Sequence, residues 1–232
     1  MAFYDHFINA DTASISYIGK KTIEWENKYF IRLIRKFSKN NNPSLLEIGP
    51  GKGFFAHLCK KNGFEYTAIE VNKLMSDKLS KMGLKVFNAY VPPIKLKDKF
   101  DVIFMNQVFE HMKNRDEAIE MVKSCKEHLN EDGLIIISSP DILSVKQDFY
   151  QDYTHDYPTS LMRLSKLLAD YDLKVLYKDY YTFFTTGYIK TRIIAFLTRL
   201  CYNLGIFKIF FGKKAYKVKI SLLPALIIIG KK

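Results

Sequence analysis

Three glycines, at positions 49, 51 and 53, directly follow the apolar run at residues 44–48. Glycine has no Cβ atom, so a chain with glycine at alternate positions can turn sharply and let a ligand approach its backbone. A helix is expected to start near Phe54, and the free N–H groups of its first turn would face any anionic group above it. The pattern predicts a binding turn at the end of a strand.

A carboxylate closes the next apolar run. Glu70 lies seventeen residues after Gly53 and ends the segment 66–70. One carboxylate can accept hydrogen bonds from both hydroxyls of a ribose, which a neutral acceptor does less well. A glycine turn alone is a weak signal for a cofactor site, and its combination with an acid at the end of the next strand is much stronger. Together they predict a site for an adenosine-bearing ligand.

The glycine spacing distinguishes between ligands. A dinucleotide site is typical of G-x-G-x-x-G, whereas this chain has G-x-G-x-G preceded by Glu47. The segment resembles the first motif of class I S-adenosylmethionine-dependent methyltransferases, E/D-x-G-x-G-x-G. The resemblance implies that S-adenosyl-L-methionine is the cofactor, that the turn receives its methionine portion and that Glu47 helps to orient it. Val71, next to Glu70, belongs to the same predicted site.

The segment 100–111 resembles the fourth-strand region of the small-molecule branch of that family, F-D-x-V followed by E-H. The resemblance implies that Asn106 and Gln107 lie beside the cofactor and that Glu110 and His111 open toward the methyl acceptor. His111 is equally well explained as a histidine bonded to a backbone group. The absence of an N/D-P-P-Y motif argues against methylation of adenine amino groups.

Asn88 and Ala89 follow the predicted third strand. The family places an acid or amide near the adenine at this point, so Asn88 is a predicted cofactor contact. Asparagine also favours turns, and Asn88 could be a turn residue only.

The loop at 148–158 resembles the D-x-T-H…P segment that many members of the branch carry over the acceptor pocket. If the acceptor is a hydroxyl, a positioned base helps to remove its proton, and histidine suits that role near neutral pH. His155 is the first candidate, with Asp152 orienting it, and the alternative is that His155 caps the next helix.

The remaining histidines, His6, His57 and His128, have no such context and are predicted to be surface or packing residues. A sulfonium methyl group is already activated, so the protein must mainly align donor and acceptor and exclude water. No group of residues has the spacing of metal ligands, and no metal is predicted.

The length and composition indicate what class of protein this is. The chain has 232 residues, of which 48% are hydrophobic, which suits one globular α/β domain. Cys59, Cys125 and Cys201 show no paired spacing and are predicted to be free thiols in a reducing compartment. Residues 1–11 carry acids and no secretion signal is expected, nor does any apolar run reach the length of a membrane span. We expect a cytoplasmic protein, with peripheral contact at the inner face of the membrane as an open alternative.

Strands and helices are predicted to alternate, with strands that are continuously apolar. The resemblance implies an α/β, Rossmann-like, doubly wound sheet of seven mostly parallel strands with an antiparallel last strand. Predicted strands lie at 44–49, 65–70, 84–87, 100–105, 134–139, 172–182 and 219–229, and helices at 22–39, 53–62, 72–82, 115–129 and 159–170. The chain is predicted to be one domain, with an N-terminal helical cap at 1–40, a cofactor-binding core at 41–182, a basic aromatic helical insertion at 183–217 and the final strand at 218–232.

The positive charge is concentrated in the C-terminal quarter. The formal net charge is +12, and residues 180–232 contain ten Lys or Arg and no acid, so residues 1–179 contribute 12 − 10 = +2. Residues 187–216 mix these cations with bulky apolar residues. The segment could be a lid over the cleft or its substrate pocket, a membrane-contacting surface, or a contact for phosphate. A lipid-linked or nucleotide-linked glycan would suit both its charge and its apolar surface, and nucleic acid is the weakest candidate because the core is not basic.

These patterns predict a methyltransferase acting on a small molecule or glycan, at oxygen. A non-catalytic cofactor-binding scaffold, an RNA methyltransferase and an NAD-dependent oxidoreductase are the alternatives. The sequence makes no prediction of oligomeric state.

Overall fold

The computed structural model describes residues 17–182 and 184–232 and arranges them around an eight-stranded sheet. The strands are β1 (Ser44–Ile48), β2 (Glu65–Glu70), β3 (Lys85–Asn88), β4 (Phe100–Asn106), β5 (Leu129–Pro140), β6 (Lys174–Thr182), β7 (Thr185–Thr186) and β8 (Ala225–Lys231). Their order is β3-β2-β1-β4-β5-β8-β6-β7. Strands β1 to β5 pair in parallel, and β8 runs antiparallel to both β5 and β6.

Helices connect these strands. They are α1 (Tyr17–Phe37), α2 (Phe54–Lys61), α3 (Lys73–Lys81), α4 (Arg115–His128), α5 (Ile142–Val145), α6 (Leu161–Asp170), α7 (Tyr188–Asn203), α8 (Ile206–Phe211) and α9 (Ala215–Leu222). Short 3₁₀ turns lie at Phe109–His111, Lys146–Gln151 and Gly212–Lys214.

Strand β4 shows why the sheet is buried on both faces. Val102 and Phe104 point to one side, where the Phe104 ring lies 5.1 Å from that of Phe30 in α1 and 4.5 Å from that of Phe55 in α2. Ile103 and Met105 belong to the opposite core together with residues of α4. Continuous apolar strands of this kind need a helical layer on each side.

The strand order reverses beside β1. The chain runs outward from β1 to β2 and β3 and then returns to β4 and β5 on the other side. The carboxyl ends of β1 and β4 are therefore neighbours at a switch point, which is where ligands bind in sheets of this type. The predicted doubly wound, mostly parallel sheet with an antiparallel last strand is confirmed.

Three details differ from the prediction. The sheet has eight strands rather than seven, because the two-residue β7 pairs with the end of β6. Strand β5 starts at Leu129 rather than at residue 134. Its pairing with β4 shifts register between Phe100 and Val102. In β5 the irregular part contains Asp132, which has a positive φ of 66°.

The third difference concerns the strand predicted at 219–229. Residues 215–222 form helix α9, and the strand begins only at Ala225. A short apolar run is ambiguous between helix and strand, and Pro224 separates the two elements because it lacks the N–H group that a sheet ladder needs. The helical insertion before β8 therefore extends to Leu222, five residues beyond its predicted end.

Candidate active site

The glycine turn after β1 has three left-handed backbones, with φ of 72° at Gly49, 52° at Gly51 and 74° at Gly53. A Cβ atom at Gly49 would lie 2.7 Å from Val108 Cγ2, and one at Gly53 would lie 2.5 Å from Leu79 Cδ2. A Cβ atom at Gly51 would meet nothing within 4 Å. Gly49 and Gly53 are thus required by packing, whereas Gly51 borders open space into which a ligand can fit.

Glu70 ends β2 beside this turn and is only 5% exposed. The Gly51 amide donates to Glu70 Oε2 at 3.3 Å, and the Asn72 amide donates to Oε1 at 2.8 Å. Burial raises the pKa of the Glu70 carboxyl, against the opposing effect of these hydrogen bonds. The carboxyl group is held by the backbone on both oxygens, next to exposed Val71.

Asn88 secures the ends of two strands. Its side-chain amide donates to the carbonyl oxygens of Glu70 at 2.8 Å and Val71 at 3.0 Å, and the Ala89 amide donates to Glu70 O at 3.3 Å. The structure therefore gives Asn88 a positioning role toward Glu70 and Val71. Contact between Asn88 or Ala89 and the adenine stays a prediction.

Glu47 lies within the sheet beneath the turn and is 4% exposed. Tyr66 Oη donates to Glu47 Oε2 at 2.5 Å across the β1–β2 pair. Burial raises the pKa of Glu47 to about 7, although the Tyr66 hydrogen bond acts in the opposite direction. Glu47 can therefore change its charge near neutral pH.

The end of β4 turns abruptly toward the glycine turn. Gln107 has a φ of 56°, which is uncommon for a residue with a side chain, and its amide donates to Ser138 O at 2.9 Å. Beside it, the buried Asn106 Oδ1 has no hydrogen-bond partner among the described residues. Because buried acceptors are nearly always bonded, this atom suits a donor from a ligand.

Two imidazoles meet at this edge of the sheet. The ring centroids of His111 and His155 lie 4.9 Å apart. His111 Nδ1 is 3.0 Å from Thr154 O, and His155 Nδ1 is 2.9 Å from Phe149 O. Because a carbonyl oxygen only accepts, each Nδ1 carries the proton and donates. The backbone thus orients both rings, as the alternative explanation of His111 expected.

Glu110 lies under this pair and is fully buried. Ser139 Oγ donates to Glu110 Oε2 at 2.9 Å, while Oε1 has no partner among the described residues. Burial raises the pKa of Glu110 to about 8. One ligand atom each from Glu110, His111 and His155 lie within 4.8 Å of one another, a grouping that could hold a metal ion. The sequence predicts no metal, because one member of this group comes from the loop at 148–158 and its spacing to the other two shows no pattern.

Asp152 lies farther from His155 than its predicted orienting role requires. Its Oδ2 is 3.9 Å from His155 Nε2, which is too long for a hydrogen bond. Its Oδ1 instead accepts from the Thr154 amide at 3.0 Å and from Thr154 Oγ1 at 2.6 Å. The carbonyl of Phe149 is the group that orients His155, and Asp152 shapes the loop around it.

The other histidines lie apart from this edge. His57 is exposed on α2, and His128 bonds through its ring nitrogens to Ser124 O at 2.8 Å and Leu96 O at 3.1 Å. His6 lies outside the described residues.

A buried polar chain beside the cleft was not predicted. Tyr181 Oη donates to Glu26 Oε1 at 2.8 Å and lies 2.6 Å from Ser138 Oγ. It joins α1 and β6 to the end of β5, where Ser138 O accepts from Gln107. The three residues are far apart in sequence and have no common motif, so no sequence signal could have grouped them.

The residues at this edge fit S-adenosylmethionine. The open space beside Gly51 would receive the amino-acid portion of the cofactor, and the carboxylate oxygens of Glu70 would accept from its ribose hydroxyls. S-adenosylmethionine would be held by Glu47, Gly51, Glu70 and Asn106. Gln107 is exposed at the border of the same site.

A family model described as a methyltransferase domain matches residues 23–184. The malonyl-[acyl-carrier protein] O-methyltransferase of Calditerrivibrio nitroreducens is 31% identical over 98 residues, which are 41% of this chain and 40% of that protein. The matched segment thus spans about two fifths of that relative.

Solved structures share the fold. An S-adenosylmethionine-dependent methyltransferase from Clostridium acetobutylicum superposes with a TM-score of 0.63 at 14% identity, over 99% of this chain and 96% of that one. The N-methyltransferase NodS from Bradyrhizobium japonicum, in complex with S-adenosyl-L-homocysteine, gives a TM-score of 0.58 at 12% identity over 90% and 87% of the two chains. Since the family model covers more than half of the chain, this chain belongs to the methyltransferase-domain family.

Proposed function

We propose that the enzyme methylates a hydroxyl group of a small-molecule or glycan acceptor and that His155 accepts the hydroxyl proton. The observation that carries this proposal is the position of His155, whose ring is fixed by Phe149 O and faces His111. A base held by the backbone in one orientation suits repeated proton transfer at a fixed atom.

The tautomer of His155 supports this role. Because Nδ1 donates to the Phe149 carbonyl, the lone pair of the neutral ring is on Nε2. Burial lowers the pKa of His111, with the hydrogen bond to Thr154 opposing it, so His111 stays neutral at pH 7. A neutral neighbour does not repel the positive charge that develops on His155, and Asp152 Oδ2 at 3.9 Å stabilises it.

When bound, S-adenosylmethionine supplies a methyl group already activated by its sulfonium sulfur. The hydroxyl proton of the acceptor would pass to His155 Nε2 as its oxygen is methylated, giving a methyl ether and the demethylated cofactor. The chain's own contribution is to align the acceptor, exclude water and hold this proton.

Two further observations support the acceptor class. The curated relative from Calditerrivibrio nitroreducens is by its name an O-methyltransferase. Residues 1–179 carry a formal charge of only +2, whereas proteins that bind nucleic acid generally present a basic face.

Matched acceptor pairs test the proposal. Purified enzyme with methyl-labelled S-adenosylmethionine would be given sugars, lipid-linked glycans and small alcohols, each beside an amino analogue of the same skeleton. We expect label in the hydroxyl member of a pair. His155→Asn, whose side-chain amide can still donate to Phe149 O, should lose turnover but retain cofactor binding, and His57→Asn is the control. Labelling of amines alone, or full turnover by His155→Asn, would overturn the proposal.

A further inference from the structure

Helix α7 is packed with its bulky apolar face outward. The side chains that it buries are small or polar, namely Thr191, Ala195 and Thr198. Five of its large apolar residues are exposed, namely Ile189 (71%), Ile193 (54%), Phe196 (65%), Leu197 (49%) and Leu200 (44%), and so is Leu204 (65%) directly after the helix. A helix on the surface of a globular protein normally shows the reverse arrangement.

Helix α8 extends the same surface. It has no buried residue, and Ile209 is 80% and Phe210 77% exposed. We call the exposed apolar residues of α7 and α8, together with Leu204 and the lysines at 190, 208, 213, 214 and 217, the outer face. Large apolar residues exposed at this density along two successive helices mark an interaction site rather than ordinary surface.

The outer face cannot cross a bilayer as a single helix. Among the described residues no one helix is long and apolar enough to span a membrane. Only the helical segments Tyr188–Asn203 and Ile206–Leu222, taken together, have the length and apolar composition of a span, and they are bent by 77° relative to each other. The inner side of α7 rests on the enzyme through Ala195, which packs with Val145, Phe149 and Leu223. A bent pair fixed on one side is suited to lying along a bilayer surface.

The charges beside the outer face are all positive. Residues 188–222 contain eight Lys or Arg and no acid. Arg192 lies 3.8 Å from Asp141, Lys219 lies 2.7 Å from Asp148, and Arg199 donates to Ser144 O. The other five form no ion pair with any described residue: Lys190, Lys208, Lys213, Lys214 and Lys217.

We propose that the outer face docks the enzyme on a lipid bilayer that carries anionic headgroups. Such a bilayer provides an apolar interior for residues such as Phe210 and negative charge for the lysines beside them. A second copy of the chain would bring the same positive face against itself, which like-charge repulsion opposes.

The inner side of α7 rests on the segment that positions His155. The Phe149 ring belongs to the cluster under α7, while its carbonyl holds His155. Arg192 and Arg199 attach α7 to the segment after β5 through Asp141 and Ser144 O. This inference does not depend on which acceptor atom is methylated.

Vesicle co-sedimentation of the full chain tests the proposal. Phosphatidylcholine vesicles would be compared with vesicles containing about 30% phosphatidylglycerol. One variant would combine Phe196→Ser, Ile209→Ser and Phe210→Ser, whose side chains are exposed and do not support the fold. A second would combine Lys213→Gln, Lys214→Gln and Lys217→Gln. Met162→Ser, at a residue 70% exposed on α6, is the matched control. Phe207 and Phe211 are poorer probes because their rings pack at 5.7 Å.

We expect the wild type to bind anionic vesicles roughly tenfold more strongly than neutral ones, and each triple variant to lose about tenfold in binding. The control should bind like the wild type. S-adenosylhomocysteine affinity, measured in every variant, should not change, which separates this test from that of the cleft. Equal binding by the serine variant and the wild type would overturn the proposal. So would a wild-type dimer that the serine variant dissociates, since the outer face would then bind a second copy.

Discussion

Gly51 and Glu70 meet across the cofactor turn, with the Gly51 amide donating to Glu70 Oε2 at 3.3 Å. One residue follows β1 and the other ends β2, so the contact links the two strand ends that border the cleft. The backbone of Asn72 holds the other carboxyl oxygen. The carboxyl group is therefore in position before any ligand arrives, and binding needs little reorganisation.

Gly51→Ala and Gly53→Ala should have different effects. Both positions have positive φ, which costs an alanine about 1 kcal/mol. At Gly53 the new Cβ would also lie 2.5 Å from Leu79 Cδ2, so we expect a total loss of about 2–4 kcal/mol in the free energy of unfolding. At Gly51 the Cβ enters open space, so we expect a small loss of stability and at least about tenfold weaker cofactor binding. Thermal unfolding and titration with S-adenosylhomocysteine measure the two effects, and equal changes in both variants would contradict this assignment.

Glu47 should make the stability of the ligand-free enzyme depend on pH. Its folded pKa, about 7, is above its ordinary value of 4.5, so the folded state holds the proton more tightly. This stabilisation is complete below pH 4.5 and is lost as pH rises through about 7. Glu47→Gln, which still accepts from Tyr66, should remove the dependence.

The difference in unfolding free energy between Glu47→Gln and the wild type isolates this group from other titrating carboxyls. Relative to the wild type, the unfolding free energy of Glu47→Gln should rise by roughly 1–3 kcal/mol between pH 4.5 and 8. A difference that is constant over this range, measured by urea unfolding, would show that Glu47 is ionised in the folded protein.

His155→Asn should separate catalysis from binding. Removal of a general base lowers turnover by about 10²–10⁴-fold, and the cofactor contacts lie elsewhere on the edge. We expect a lower kcat with an unchanged Kd for S-adenosylhomocysteine, measured by single-turnover kinetics and calorimetry. A variant that loses both equally would indicate a structural role for His155.

Chelation should leave methyl transfer unchanged. The pKa of Glu110, raised to about 8 by burial, keeps that carboxyl mostly protonated at pH 7, and metal ligation requires the ionised form. Dialysis against EDTA followed by an activity assay tests this expectation. Lost activity that Zn²⁺ or Mn²⁺ restores would instead make Glu110, His111 and His155 a metal site.

The closeness of the glycine turn and Glu70 was predictable because its signals are local. The glycine turn and Glu70 lie at the ends of neighbouring strands, and each is recognisable within a few residues. The grouping of Glu110, His111 and His155 depends on how the loop at 148–158 folds back, which no spacing encodes. Likewise, Tyr181 reaches Glu26 only because α1 packs on the face of the sheet to which the Tyr181 side chain of β6 points.

The C-terminal segment shows a different limit. The apolar residues before Pro224 suit a helix and a strand equally, so the predicted strand began too early. The helical insertion at 183–217 was predicted, but an apolar helical segment in a sequence does not show whether the protein covers its apolar side chains. The structure answers that question by placing Ile189, Phe196 and Leu204 outside.

Calorimetric titration of S-adenosylhomocysteine tests the central claim most directly, that Glu70 and the glycine turn hold the cofactor. The wild type, Glu70→Ala and the control Glu65→Ala, at an exposed position on the same strand, would be compared. Loss of charge-assisted hydrogen bonds to a ribose predicts about tenfold to hundredfold weaker binding by Glu70→Ala, with Glu65→Ala unchanged. Wild-type protein that does not bind the ligand, or Glu70→Ala that binds it as tightly as the wild type does, would contradict the account.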